Sequence, residues 1–280
     1  MKLSIITINF NDRSGLDETI QSVINQTYKD FEYIVIDGGS TDGSVDIIKK
    51  HANKLTCWVS EPDTGIYNAM NKGTRLAQGE YCLFLNSGDF LAADDVLEKA
   101  FSYNFTEDIV SCNCLEFGDK YESLRIPPKN ISLFTFVRGS LPHPTTFIKR
   151  NLLESLGGYN ENYRIISDWC FFVDATIVHA CSYKTLDVLV SKFNCYGIST
   201  TSGHTEFDKR RDYLIEKFPR IMNDYLPYYD EAVYNVLQWS QRFPKLNRLM
   251  ILPCKVLNRV LKLRNKLSVR LGIYPIKLNQ

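Results

Sequence analysis

Tyr33-Ile34-Val35-Ile36-Asp37-Gly38-Gly39-Ser40-Thr41-Asp42-Gly43 is the stretch on which the fold turns. Its first four residues are apolar and rich in β-branched or aromatic side chains, as suits a short strand covered on both faces. The run breaks at Asp37. Glycines there permit tight turning, and Ser40, Thr41 or Asp42 can cap a helix over residues 44–51. The same order of events recurs on either side. Upstream, Lys2-Leu3-Ser4-Ile5-Ile6-Thr7-Ile8 reads as a buried strand, and the polar loop 9–14 leads to a helix over 15–26, where Leu16, Ile20, Val23 and Ile24 recur at helical spacing. Downstream come a strand over 55–59, a helix over 66–77 and a strand over 81–85. Such alternation predicts an α/β fold, a mostly parallel sheet with helices on both faces.

Beyond residue 90 the pattern is less regular. Residues 93–104 read as a helix, and 108–117 with 120–126 as antiparallel strands joined at Gly118-Asp119. A strand follows the proline-stiffened Leu141-Pro142-His143-Pro144, a short helix over 149–156 stops at Gly157-Gly158, and a helix over 168–179 has Ser167 as its expected cap. Residues 1–205 are expected to form one domain, with halves 1–105 and 106–205, and residues 206–280 a helical extension.

The 280 residues are 44% hydrophobic and 23% charged, ordinary for a globular chain, and the net charge of +1 conceals an asymmetry. After Glu231 there are ten Lys or Arg and no Asp or Glu, whereas the first 231 residues hold 23 bases against 32 acids. From Pro253, Val256, Val260, Leu263, Leu267 and Leu271 share one helix face, with Lys255, Arg259, Lys262, Lys266 and Arg270 beside it. A basic amphipathic helix over 253–271 suits an anionic membrane surface; the alternative is a terminal helix packed on the body with its basic side solvated. The eight cysteines contain no C-x-x-C pair and no histidine at zinc-ligand spacing. Neither a signal-peptide pattern nor a membrane-spanning stretch is present. A reducing cytoplasm, with peripheral attachment to the inner membrane face, is the expected location.

In open α/β sheets ligands bind beyond the carboxyl ends of the strands. Three polar patches fall there: 37–42, Glu61-Pro62-Asp63-Thr64-Gly65, and Asn86-Ser87-Gly88-Asp89. Asp37 and Asp63 cannot bind phosphate directly but can accept from base N–H groups and ribose hydroxyls. Asp89 supplies an oxygen ligand of the kind that Mg²⁺ or Mn²⁺ requires. Each patch taken alone also reads as an ordinary turn.

Together these blocks resemble the family 2 glycosyltransferases of the GT-A fold. The resemblance rests on 4–11, 22–28, 35–44, 61–73 and 79–89, five blocks in order over the first ninety residues, with a weaker match to about residue 200. It implies that Thr7 and Asn9 line a nucleotide site, that Asp37 accepts from the base, that Asp63 contacts base or ribose, and that Asn71 and Lys72 lie near the nucleotide. Asn86 and Asp89 occupy the family's metal motif, commonly Leu-Asp-x-Asp-Asp. Asn86 and Gly88 replace two of its acids, so direct ligation of a divalent cation rests on Asp89. Asp168, in Ile166-Ser167-Asp168-Trp169, resembles the family's general base, although an Asp in a first helical turn also occurs for the dipole alone. Asp174 projects elsewhere. His143 stands where the family often has a polar residue near the acceptor, and a structural role is the alternative. His204 reads as loop decoration.

The implied activity is inverting transfer of a sugar from a nucleotide-sugar, with UDP-sugars the first expectation, to a hydroxyl of a lipid-linked cell-surface glycan. No nucleic acid is expected as a partner. A nucleotidyltransferase would carry a glycine-rich basic phosphate loop after the first strand, which Asn9-Phe10-Asn11-Asp12-Arg13 does not supply. A dinucleotide oxidoreductase lacks its Gly-x-Gly-x-x-Gly there. A non-catalytic nucleotide-sugar-binding protein of the same fold is the third reading, favoured by the depleted acidic motif.

Overall fold

Strand β1 (Leu3–Asn9) is buried at every position because parallel neighbours flank it. On one side β2 (Phe31–Asp37) pairs from Leu3 opposite Phe31 to Asn9 opposite Asp37. β3 (Cys57–Ser60) continues the sheet, with Ser60 opposite Asp37. On the other side β4 (Tyr81–Phe84) pairs Leu3 with Tyr81. This parallel register ends β1, β2 and β3 level, so that Asn9, Asp37 and Ser60 form one row. The computed structural model describes residues 1–118, 121–197 and 208–225; Asp119, Lys120, His204 and the expected helix over 253–271 lie outside them.

One sheet face carries α1 (Arg13–Ile24) and α2 (Ser44–His51). Their Leu16, Ile20, Val23, Ile47 and Ile48 join Leu3, Ile5, Tyr33, Val35 and Leu83 in the core. Each such side chain contributes roughly 1.5–3 kcal/mol by leaving water. That burial, rather than helix propensity, sustains a helix as short as α2. On the opposite face α3 (Ile66–Leu76) lies so close that a Cβ on Gly73 would stand 2.4 Å from Ile6 Cγ2. The cap of α2 is Gly43 at φ 93°, and Asp42 assists by accepting from the Ser44 N–H and hydroxyl.

Parallel pairing dominates only this half. β4 is also flanked by β8 (Thr146–Lys149), which runs antiparallel both to it and to β6 (Ile109–Gly118). β6 pairs in parallel with β9 (Tyr183–Asn194) and forms the expected hairpin with β7 (Tyr121–Arg125). β9 then takes up β5 (Phe90–Leu91) at the far edge, in the order β3-β2-β1-β4-β8-β6-β9-β5. β5 and β9 are additions to the strands read from sequence; two residues are too few for any periodicity.

The remaining helices are α4 (Val96–Phe101), α5 (Leu133–Arg138), α6 (Arg150–Ser155), α7 (Ser167–Val173), α8 (Asp208–Lys217) and α9 (Pro219–Tyr225). α7 begins after Ile166, which places Ser167 inside the first turn rather than at the cap, and it continues into a π-helical turn over Asp174–Val178. Asp174 accepts from the Tyr213 hydroxyl at 2.7 Å and pairs with Lys217 at 3.1 Å. These contacts fasten α8 to the end of α7, and the first compact unit accordingly runs Met1–Met222, past the expected boundary at 205. Of the second unit, from Asn223, the structure describes residues 223–225. Among the described residues no helix is long and apolar enough to cross a membrane.

Candidate active site

The row at the carboxyl ends of β1, β2 and β3 is built around Asp37, which has no exposed surface. Five donors of the chain itself converge on its carboxylate: Asn9 Nδ2 at 2.7 Å, Ser40 Oγ at 2.6 Å, Ser60 Oγ at 2.7 Å, and the Gly39 and Ser40 N–H groups. Burial alone would raise its pKa, but these donors outweigh it and hold the carboxyl below the ordinary range. A carboxylate offers about four lone-pair sites. In this structure the chain's own donors occupy all of them. Its work is to shape the 37–43 turn. Thr7 likewise sits below the edge, fully buried, with its hydroxyl 3.0 Å from that of Tyr33.

The next loop is held by a cation. Lys72 Nζ lies 2.7 Å from both Asp63 and Glu61 and donates to the Pro62 carbonyl at 3.2 Å. Asp63 first and Glu61 second raise the lysine's pKa. Asp63 faces Gly38, and Phe10 borders the same spot with 67% of its surface exposed. An exposed aromatic face beside a carboxylate can stack a base while the carboxylate receives its N–H. Asn71 is committed elsewhere. Its Nδ2 donates to the Tyr159 carbonyl and to Glu161, and its Oδ1 accepts from the Tyr159 N–H, each at 2.8 Å, which clasps α3 to the 159–161 loop.

Asp89 is 4% exposed and accepts the Asn194 N–H at 2.9 Å. Pairing of β5 with β9 lays the end of β9 over it. Burial, tempered by the Asn194 N–H and reinforced by the charge of Asp12, pushes its carboxyl up to about 8. Gly88 at φ 88° is a position where a side chain would be strained, and a Cβ there would approach Asp12 Oδ2 to 3.3 Å. Asn86 Oδ1 is buried and has no hydrogen-bond partner among the described residues.

A second cluster forms around Asp168 in the first turn of α7. The Tyr67 hydroxyl donates to Asp168 Oδ1 at 2.8 Å and also reaches the Ile165 carbonyl. His143 is stacked on Phe84, with ring centroids 5.2 Å apart, and its Nε2 is 2.9 Å from the Tyr159 hydroxyl. Burial lowers the His143 pKa and the charge of Asp168 opposes the change, so the ring is an uncharged neighbour of Asp168 near neutral pH. Arg210 of α8 lies over the Trp169 ring at 5.3 Å and feels the same carboxylate.

Comparison with known proteins identifies this arrangement. Residues 4–159 match the model of glycosyl transferase family 2. An uncharacterized glycosyltransferase of Mycobacterium tuberculosis is 32% identical over 262 residues, which cover 88% of this chain and 98% of that one. The chain belongs to glycosyltransferase family 2. A PGL/p-HBAD biosynthesis glycosyltransferase of Mycobacterium bovis is 27% identical over 263 residues, 85% of this chain and 97% of its own. Among solved structures, S. aureus TarS 1–349 in complex with UDP-GlcNAc superposes with a TM-score of 0.62 at 20% identity, over 77% of this chain and 67% of that one. The mannosyltransferase PcManGT of Pyrobaculum calidifontis, in complex with GDP-Man and Mn²⁺, gives 0.57 at 20% identity over 79% and 64%. These structures share the GT-A fold expected from the sequence.

For this family 2 glycosyltransferase the 86–89 turn was the expected cation site. Its side chains do not fit a cation held by the protein. Asp89 is turned inward onto Asn194, Gly88 brings no oxygen, and only the carboxamide oxygen of Asn86 lacks a partner. No group of three His, Cys, Asp or Glu able to hold a metal occurs among the described residues. In this structure Asp89 is covered by the end of β9 and directed at the Asn194 N–H rather than at the open edge. Sequence reading also passed over Ser40, Ser60, Phe10, Tyr67 and Arg210. Ser60 ends β3 and Ser40 lies in the turn that follows β2, so both were open to the rule that drew attention to Asp37. Tyr67 carries no local mark, since its partner is 101 positions away.

Proposed function

We propose that this glycosyltransferase inverts the anomeric centre in a single displacement, moving a sugar from a nucleotide-sugar to a hydroxyl of a lipid-linked cell-surface glycan. Asp168 acts as the general base. It takes the acceptor's proton while the acceptor oxygen bonds to the anomeric carbon and the bond to the diphosphate breaks, its electron pair leaving with the nucleoside diphosphate. The observation that carries this reading is the Tyr67–Asp168 hydrogen bond. It attaches the carboxylate of α7 to α3, the helix that follows the Asp63 loop and carries Lys72. The base is thereby tied to the helix that leads out of the proposed nucleotide loop, as positioned catalysis requires.

Phe10 and Asp63 are the proposed receptors of the nucleobase, and Asn9, Ser40 and Ser60 support them through Asp37. A UDP-sugar is the first choice of donor, supported by the fold shared with a UDP-GlcNAc complex, followed by GDP- and dTDP-sugars. The lipid-linked acceptor is supported by the basic amphipathic pattern of 253–271. His143 is proposed to border the acceptor.

The test is a donor panel assayed for nucleoside diphosphate release, with and without Mn²⁺, on the wild type and Asp168→Asn. Loss of at least about 10³-fold in turnover with donor affinity unchanged is expected, in line with removal of a general base. Near-normal turnover in Asp168→Asn would remove the base assignment. Absence of release with every donor would favour the non-catalytic binding protein. Flotation with anionic liposomes, comparing the full chain with one ending near residue 240, tests the membrane claim; equal flotation would overturn it.

A further inference from the structure

The Tyr67 hydroxyl has one proton and two acceptors within reach, Asp168 Oδ1 and the Ile165 carbonyl. Tyr67 is 4% exposed, on the first turn of α3, with its ring 5.6 Å from that of Tyr159. A side chain so enclosed keeps its ring in place, and the freedom left to it is rotation of the O–H.

We infer that Tyr67 is a positioning residue whose hydroxyl follows the charge of Asp168, directed at Oδ1 while the carboxylate is ionised and at the Ile165 carbonyl once Asp168 has taken a proton. This rests on the reading of Asp168 as the base. With the carboxylate charged, the O–H⋯O⁻ bond is the stronger of the two, since hydrogen bonds to ionised acceptors are roughly twice as strong as neutral ones. It locks Oδ1 and leaves Oδ2 to receive the acceptor's proton. After transfer the charge is gone, the tyrosine proton turns to the peptide carbonyl, and no buried hydroxyl loses its partner. Atoms balance: one proton moves from acceptor to Asp168, and the tyrosine keeps its own. Burial and the charge of Asp168 both raise the Tyr67 pKa well above that of an ordinary tyrosine, so the hydroxyl stays a donor throughout the working range.

The other groups facing Asp168 are His143 before β8, Tyr159 in the loop before α7, Cys170 on α7 itself and Arg210 on α8. Tyr67 differs from these in belonging to the proposed nucleotide half. Its hydroxyl links that half to the proposed base by a direct hydrogen bond.

The experiment is a carboxyl ¹³C NMR titration of the full chain labelled in aspartate, with Asp168→Asn assigning the resonance. Tyr67→Phe is expected to raise the Asp168 midpoint by about one pH unit, the loss of one hydrogen bond to a charged group. Site-specific replacement of Tyr67 by 3-fluorotyrosine, a stronger donor of nearly the same shape, is expected to lower it. Opposite shifts from the two variants support the inference. An unmoved midpoint in both, or a shift of the same sign in both, overturns it. Where Tyr67→Phe does not fold, the fluorotyrosine arm decides alone. The result is separable from the base assignment: if Asp168→Asn retains turnover while the midpoints move as described, the hydrogen bond orients a carboxylate that is not the base.

Discussion

Asp37 and Asp89 end neighbouring stretches of the same sheet edge, and both are almost wholly removed from solvent, yet their protons behave in opposite ways. Asp37 is held ionised below the usual carboxylate range, whereas Asp89 is pushed up to about 8. Both donors and depth make the difference: Asp89 is the more deeply buried of the two and has the fewer donors. Five donors meet Asp37, because the level ends of β1, β2 and β3 aim Asn9, Ser40 and Ser60 at it. Asp89 has the Asn194 N–H and the opposing charge of Asp12. Burial sets what ionisation costs, and the surrounding donors decide whether it is met.

The comparison is broken most forcefully by Asp37→Ala. It strands several buried donors at once and is expected to lower stability by about 3–4 kcal/mol in chemical denaturation. A loss under about 1 kcal/mol would mean that the network is not a structural unit.

The pH profile comes next. Asp89 has a raised pKa in the folded state, so its contribution is fully present below the unfolded value and is lost as pH rises towards about 8. Stability should fall between about pH 4 and 8 by at most about 1.4 kcal/mol per unit, and Asp89→Asn should flatten that slope. Asp37, with a depressed pKa, contributes in the opposite sense. Its part is present above the unfolded value and disappears as the solution is acidified through the folded one. Denaturation midpoints collected across pH 3–9 for wild type and Asp89→Asn would separate the two.

Ser60→Ala removes a single donor from Asp37 and should cost about 1 kcal/mol, with a small rise in the Asp37 pKa visible by carboxyl NMR. The smallest expected effect is that of Mn²⁺ added without nucleotide at pH 7. Because Asp89 faces Asn194, no change in Tm is expected. A rise in Tm accompanied by proton release would show that the cation reaches Asp89 without nucleotide.

The strand and helix periods, the glycine turn at 38–43 and the polar strand ends were all legible along the chain, since each depends on residues within a few positions. That determined the α/β class, the family resemblance and the edge at which chemistry belongs. The roles of single side chains at that edge were less legible. Asp37 reads as an open acceptor until Ser60, 23 residues on, is laid beside it by parallel register. Asp89 reads as an open carboxylate until β9 brings Asn194 over it from 105 residues away. Tyr67 carries no mark until the Asp168 carboxylate lies 2.8 Å from its hydroxyl. Near neighbours set backbone pattern, so the sequence by itself determined the fold class and the strand ends at which the site is proposed. Donor counts and burial are set by segments distant along the chain, so only the tertiary structure decided which carboxylate is locked, which is hidden and which accepts from Tyr67.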